Sequence, residues 1–577
     1  MNKLTTTNTA LVFSLLMVAI VASSFLVAAP LCHGGGDLED KVVERKSASD
    51  GGCGTCSSMP LGADDAGSRG TIFSDPVMAE AFEEMGFDFL MVHIYRKSGP
   101  DSPAGIAFIK NMNRWAGETG HDYIVNLENT VRPRGNHAEF HRPGFFFQPT
   151  NEWLETCLKS PHFRGVCYDE SEHWIMNGVD ITGGVGAHEN FRPHFFDAEG
   201  AALEEAYQGN LNNLTVLRSK LFKFDPASYD DLKRPMMFSE HVFPALFPLF
   251  ARAGVAPHPK FLKESVLPVA AAVALGACRQ YGVPYVPCLD LFGPRGNRAS
   301  RKEWPYHTPQ ELHSALQFSY WTGAHSAYIE NINYKDSLYR NVDGRAELTD
   351  WGRVAREFTS QYMPEHPRTI LAQNFRPEIV IVRFPDSDWG QIKKYYLRRN
   401  LYGASNLVPT KITGEWLGVW KLICHGTLPG TGLSWHAKGF DMRYRLFFAA
   451  NSVAVFDHLA DDPKLYEGVR LVFMLGVHIP EKTVSTVRNF VRAGGTAATV
   501  PRLAPHEIKS NYSGGTAVVA DGRGKWILFE RADDPKVKNE LAPLLGSPNE
   551  LRYTFTNGEV VFTAPENHAE LKVQIKR

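Results

Sequence analysis

Two acidic side chains stand at the ends of apolar runs, and each run has the shape of a buried strand. Arg234-Pro235-Met236-Met237-Phe238-Ser239-Glu240-His241 closes on a carboxylate and an imidazole, and Ala327-Tyr328-Ile329-Glu330-Asn331 closes on a carboxylate and an amide. Acids presented at the C-terminal ends of different strands are what a barrel of parallel strands offers a substrate. Two such acids facing each other can split a glycosidic bond, one protonating the leaving oxygen while the other attacks the anomeric carbon. Glu240 and Glu330 are therefore expected to face each other across a sugar-binding cleft, with His241 and Tyr328 as weaker candidates beside them. The competing reading makes each acid a solvated strand end.

Other groups compete for the chemistry. The run Phe163-Arg164-Gly165-Val166-Cys167-Tyr168-Asp169-Glu170 is followed by Ser171, Glu172, His173 and Trp174, and so many ionisable groups cannot all be buried with ordinary pKa values. Asp169, Glu170 and His173 are expected to touch substrate. A metal-assisted hydrolase built on Asp169, Glu170, Glu172 and His173 is an alternative, although their spacing matches no metal signature and no metal is expected. Glu128 ends another strand. The loop 130–149 after it carries Arg132, Arg134 and His137 beside Phe145, Phe146 and Phe147, a composition suited to an extended or anionic sugar. Asp290, Trp321 and Trp416, the last in an aromatic insert at 411–437, complete the expected substrate contacts. No Gly-rich dinucleotide fingerprint occurs, so no cofactor is expected.

The elements that must position these groups follow from hydrophobic periodicity. Apolar runs near residues 88, 123, 164, 234, 261, 284 and 326 alternate with helical segments, and an eighth run lies at Thr369-Ile370-Leu371-Ala372. That count puts Glu240 on the fourth strand and Glu330 on the seventh; a strand at Thr71-Ile72-Phe73 would move both by one. Thr308 with Glu311 three residues on reads as a capping box opening one of the helices. From Pro377 the period changes to strands near 379, 453 and 469 and a helix over 479–492 stopped by Gly494-Gly495. Asn557-Gly558 between alternating runs marks a hairpin. The expected architecture is a (β/α)8 TIM barrel over 67–376, a flavodoxin-like or glutamine-amidotransferase-like α/β domain over 377–512, and a small β domain over 513–577.

Leu471-Val472-Phe473, Ile479 through Val491 and Arg492-Ala493-Gly494-Gly495-Thr496 together resemble the trimerisation domain of the beta-galactosidases of glycoside hydrolase family 42. In that family the domain follows a catalytic barrel. The resemblance implies a retaining barrel hydrolase, and in that wider clan the acid/base glutamate follows the fourth strand and the nucleophile the seventh. Carried over by position, Glu240 becomes the acid/base and Glu330 the nucleophile. The clan commonly has Asn before its acid/base, where Ser239 stands here. A non-catalytic glycan-binding barrel is the reading from a different functional class.

The bulk properties set bounds. A chain of 577 residues exceeds one ordinary core, and a net charge of −2 gives no reason to expect a nucleic-acid partner. Ala10 to Ala29 is uncharged and apolar, so residues 1–32 read as a signal peptide or a membrane anchor, and the chain as secreted, periplasmic or held at an outer surface. Residues 33–66 read as a flexible linker, with Cys53 and Cys56 in a local pair. The expected partners are a carbohydrate and further copies of the chain.

Overall fold

The computed structural model describes residues 58–66, 70–94, 102–127, 149–169, 201–222, 235–241, 246–262, 267–291, 307–334, 336–384, 411–426, 446–510, 512–565 and 570–576. Eight parallel strands close a barrel: β1 (Leu61–Asp64), β2 (Phe89–His93), β3 (Asp122–Asn126), β4 (Phe163–Asp169), β5 (Met236–His241), β6 (Ala256–Phe261), β7 (Cys288–Asp290) and β8 (Ala327–Glu330). The ring closes where β1 pairs with β2 on one side and with β8 on the other. Helices alternate with the strands, and their starts are chemically marked. Ser102 caps Pro103–Thr119, Thr150 caps Asn151–Leu158, and Thr308 with Glu311 forms the expected capping box of Pro309–Trp321.

The first strand corrects the count. Leu61–Asp64 lies inside the segment expected to be a linker, so the barrel begins before residue 67. Its four residues carry one large apolar side chain, too little to announce a strand; pairing to β2 and β8 makes it one. Gly62 is required there, because a Cβ would sit 2.5 Å from the Phe89 ring. Thr71-Ile72-Phe73 is not a strand but enters a turn closed by Ser74 N–H donating to the Thr71 carbonyl. The eighth strand expected near 369–374 is absent, and Ala372–Asn374 forms a 3₁₀ turn instead. Glu240 thus stands on the fifth strand and Glu330 on the eighth. The ends of the fourth and seventh carry Asp169 and Asp290.

The sixth strand was equally hard to foresee. Ala256-Pro257-His258-Pro259-Lys260-Phe261 holds two prolines, each lacking the N–H that a central strand donates. The cost is visible in the ladder. Pairing of β6 with β7 is confined to Lys260 opposite Cys288 and Phe261 opposite Leu289, past the prolines.

After the barrel come a short hairpin, β9 (Tyr339–Val342) and β10 (Arg345–Leu348), and then the second sheet. Its strands are β11 (Ile379–Arg383), β13 (Val453–Asp457), β14 (Leu471–Leu475), β15 (Thr496–Thr499), β16 (Thr516–Asp521) and β17 (Gly524–Phe529), in the order β13-β11-β14-β15-β17-β16. The first strand flanked by the second and third is the flavodoxin-like order. The boundary expected at 512 falls too early, since β16 and β17 continue this sheet. A four-stranded sheet joins β12 (Ala450–Asn451) to β18 (Leu551–Phe555), β19 (Gly558–Thr563) and β20 (Lys572–Lys576), and the expected hairpin links β18 to β19.

Barrel and second sheet share one apolar core. The edge strand β13 lies on the barrel helix Leu267–Tyr281, and a Cβ at Gly276 would overlap the Val455 carbonyl oxygen. Asp457 at the end of β13 accepts hydrogen bonds from Tyr207, Tyr281 and the Gln280 amide, the last at 2.6 Å. An edge strand covered in this way cannot recruit another chain.

Candidate active site

Strand alternation puts residues two apart on one face. Tyr328 and Glu330 of β8, Cys288 and Asp290 of β7, His258 and Lys260 of β6, and Glu240 of β5 are all buried near the C-terminal end of the barrel. The ammonium of Lys260 sits at the centre. It contacts the Glu240 carboxylate, lies 3.1 Å from Glu330 Oε2 and 3.3 Å from Asp290 Oδ2, and is only 2% exposed. Tyr328 donates its hydroxyl to Glu240, and the Cys288 thiol approaches Glu330 Oε2 at 3.8 Å. One oxygen of Glu240, one of Glu330 and the Cys288 sulfur lie within 4.8 Å of one another. The two glutamates therefore do converge.

A second buried group stands at the ends of β1 and β2. His93 Nδ1 lies 3.4 Å from Asp64 Oδ1 and 3.2 Å from Asp65 Oδ1, and the His93 N–H donates to Asp65 at 2.7 Å. Burial pushes the Asp64 carboxyl well above the usual carboxylate range. His93 opposes that shift, while Asp65 and Glu240 add to it. Burial likewise raises the Cys288 thiol, helped by the charges of Glu240 and Glu330, and raises the Tyr328 phenol, helped by Cys288 and Glu240.

Five carboxyl groups, those of Asp64, Asp65, Glu240, Asp290 and Glu330, thus share the barrel mouth with Lys260 and His93. Of these carboxyl groups, Asp64 is the one that burial and its acidic neighbours push clearly upward, so it is the one that favours its neutral form. The donor sets Asp64–Asp65–His93 and Glu240–Cys288–Glu330 are each compact enough for a metal ion. In the second, the Lys260 ammonium already takes the place a cation would fill.

Of the residues expected to bind substrate, Asp290 and Tyr328 belong to this cluster. Trp321 does not: it is buried on the far end of its helix and donates Nε1–H to the Tyr362 hydroxyl at 2.8 Å. Trp416 does not either. It is fully buried on the helix Lys411–Ile423, where a loop-rich insert was expected, with the Arg383 guanidinium 4.3 Å above its ring. Glu128, Arg132, Arg134, His137, Glu170, Glu172 and His173 lie outside the described residues, as do Cys53 and Cys56 and the side chains of Asp169 and His241. Ser239 is turned to β4, donating to the Tyr168 carbonyl at 2.9 Å, so it holds backbone.

Sequence reasoning missed Lys260, Asp64, Asp65 and His93. One signal was available for the lysine: it is the sole charge in the otherwise apolar, proline-broken run from Val255 to Leu262 that also holds His258. The acids of β1 had none, because their strand was not recognised.

No protein-family model matches the chain, and no curated protein matches it. Among solved structures, an exo-beta-1,4-mannosidase from Opitutaceae bacterium strain TAV5 is 12% identical over 90% of this chain and 92% of its own, with a TM-score of 0.33. A beta-galactosidase from Halorubrum lacusprofundi is 10% identical over 89% and 97%, with a TM-score of 0.39. The catalytic module of a family 98 glycoside hydrolase from Streptococcus pneumoniae, in complex with the H-disaccharide blood group antigen, is 11% identical over 90% and 80%, with a TM-score of 0.41. All three are glycoside hydrolases. At such identities and scores none of them assigns a residue or a substrate to this chain.

Proposed function

We propose that this chain is an exported glycoside hydrolase that cleaves an oligo- or polysaccharide with Glu240 and Glu330 as its carboxyl pair. One observation carries the reading: oxygens of two glutamates from β5 and β8 come within 4.8 Å at the barrel mouth. A retaining pair needs carboxyl groups about 5–5.5 Å apart, whereas an inverting pair leaves about 6.5–9.5 Å for water. A nearest oxygen approach under 4.8 Å admits the retaining spacing, and the retaining reading rests on the family resemblance. Assignment by strand number no longer supports the roles, so hydrogen bonding must decide them. Glu240 accepts from the Tyr328 hydroxyl and is ion-paired with the Lys260 ammonium, and both favour its charged form. Glu240 is then the nucleophile. Glu330, 6% exposed against 0% for Glu240, meets the leaving oxygen with a proton and later draws one from water.

The sugar unit at the reacting carbon is neutral in this reading, because five carboxyl groups would repel an anionic one. The expectation of an anionic substrate rests on Arg132, Arg134 and His137, which lie outside the described residues. A homo-oligomer is the proposed assembly, on the family resemblance, and sedimentation as a monomer would remove that part. The test of the function is a panel of neutral and uronic glycans digested by the full chain, read as new reducing ends. Turnover of neutral glycans is expected. Binding without any new reducing end would leave a glycan-binding barrel in its place.

A further inference from the structure

The two-glutamate reading uses Lys260 only as a cation beside Glu240, although its ammonium reaches further. Lys260 lies on β6, between the strands that supply the pair, and its ammonium touches carboxylates from three strands: Glu240 on β5, Asp290 on β7 and Glu330 on β8. Among the described residues, Asp64 on β1 acts electrostatically on Glu240, Cys288 on β7 approaches Glu330, Tyr328 on β8 donates to Glu240, and His258 shares the strand face of Lys260. A lysine this deeply buried loses its hydration, and only opposite charges at contact distance offset that loss. Two carboxylates within 4.8 Å of each other face the converse difficulty, since without a cation one of them would keep a proton.

We propose that Lys260 is the positioning residue of the reaction, holding Glu240 and Glu330 in register and in their ionised forms, with Asp290 anchoring the ammonium. The inference rests on the glycosidase reading and adds to it a group outside the carboxyl pair. A single ammonium bridging both acids fixes their separation more tightly than either strand end could. It also gives the sequence of events an order. Entry of the sugar between the acids displaces the ammonium from Glu330 towards Asp290, and Glu330, no longer held ionised, takes a proton from solvent and delivers it to the leaving oxygen. Glu240 keeps the Tyr328 hydrogen bond throughout and stays ionised for attack.

Removing the ammonium should favour the neutral form of both glutamates. An acidic limb set by ionisation of Glu240 and a basic limb set by the proton on Glu330 then both move to higher pH. In Lys260→Met the whole pH profile of kcat/KM is expected to shift upward by about one unit or more, with kcat reduced about 100-fold and KM little changed. Lys260→Arg, which keeps the charge, should hold the profile near its wild-type position. In Lys260→Ala, added ethylammonium should restore part of kcat. Equal loss in folded Lys260→Arg and Lys260→Met, with no upward shift in either, would overturn the proposal.

A readout independent of turnover separates this idea from the glycosidase reading. Glutamate labelled with ¹³C at the side-chain carboxyl, with Glu240 and Glu330 assigned from their Gln variants, should report both groups ionised at neutral pH in the full-length wild-type chain. At least one should be protonated in Lys260→Met. That result without glycan cleavage by wild type would keep the charge role and remove the glycosidase. Wild-type cleavage with an unaltered carboxyl titration in Lys260→Met would do the reverse. Borohydride trapping of a carbonyl compound on Lys260 would make its amine a nucleophile and end the proposal.

Discussion

Glu240 and Glu330 differ in what surrounds them, and the difference carries the chemistry. Glu240 accepts from the Tyr328 hydroxyl, is ion-paired with Lys260 and has no exposure, whereas Glu330 accepts from the same lysine and reaches closer to solvent. Replacing either by Gln, with folding confirmed by circular dichroism, should lower kcat/KM on a neutral glycan by about 1,000-fold or more. Tyr328→Phe removes one donor from the Glu240 carboxylate, so that group should ionise at higher pH. The acidic limb of the rate profile should rise accordingly, with a loss of about 10-fold at neutral pH. Asp64 provides a pH test that needs no substrate. Its pKa is raised in the fold, chiefly by burial, so it keeps a proton that the unfolded chain has already released. The stability it contributes is full below the ordinary carboxylate range and falls as pH rises towards its folded value. Asp64→Asn removes that fall. The variant should melt above wild type at about pH 7.5, and the gap should close towards about pH 4.

At the scale of elements, β1 and β6 are the strands on which the site depends and the ones with the poorest local signal. Leu61–Asp64 brings Asp64 to the mouth and closes the ring between β2 and β8. A chain beginning at residue 67 lacks this strand and leaves two edges open. It should be recovered as aggregate, while one beginning at residue 58 should be soluble and cooperative in thermal unfolding. The strand β6 delivers Lys260 only because its prolines spare the last two positions, where pairing to β7 resumes. Capping told a simpler story. Thr308 and Glu311 sit three apart in the chain, so their reciprocal bonds needed nothing from the rest of the molecule, and they formed as expected.

At the scale of the molecule, the second sheet is pressed onto the barrel through β13 and the helix Leu267–Tyr281, with Gly276 at the crossing. Gly276→Ala would force the Val455 backbone away and should cost about 1–3 kcal/mol. Calorimetry should then resolve a separate, earlier transition for the second sheet. Barrel class, the Thr308–Glu311 capping box, the flavodoxin-like sheet and the two strand-end glutamates were legible in the chain, because each rests on periodicity or on groups a few residues apart. Strand number, the domain limit beyond 512 and the burial of Trp321 and Trp416 were not. The sequence by itself determined that Glu240 and Glu330 end buried strands and that neighbouring side chains two positions apart share their face. Only the closed barrel decided which strands these are and that Lys260, Asp290 and Tyr328 meet them there. Such convergence is set by hydrogen bonding between strands distant in the chain, and no local pattern of residues carries it.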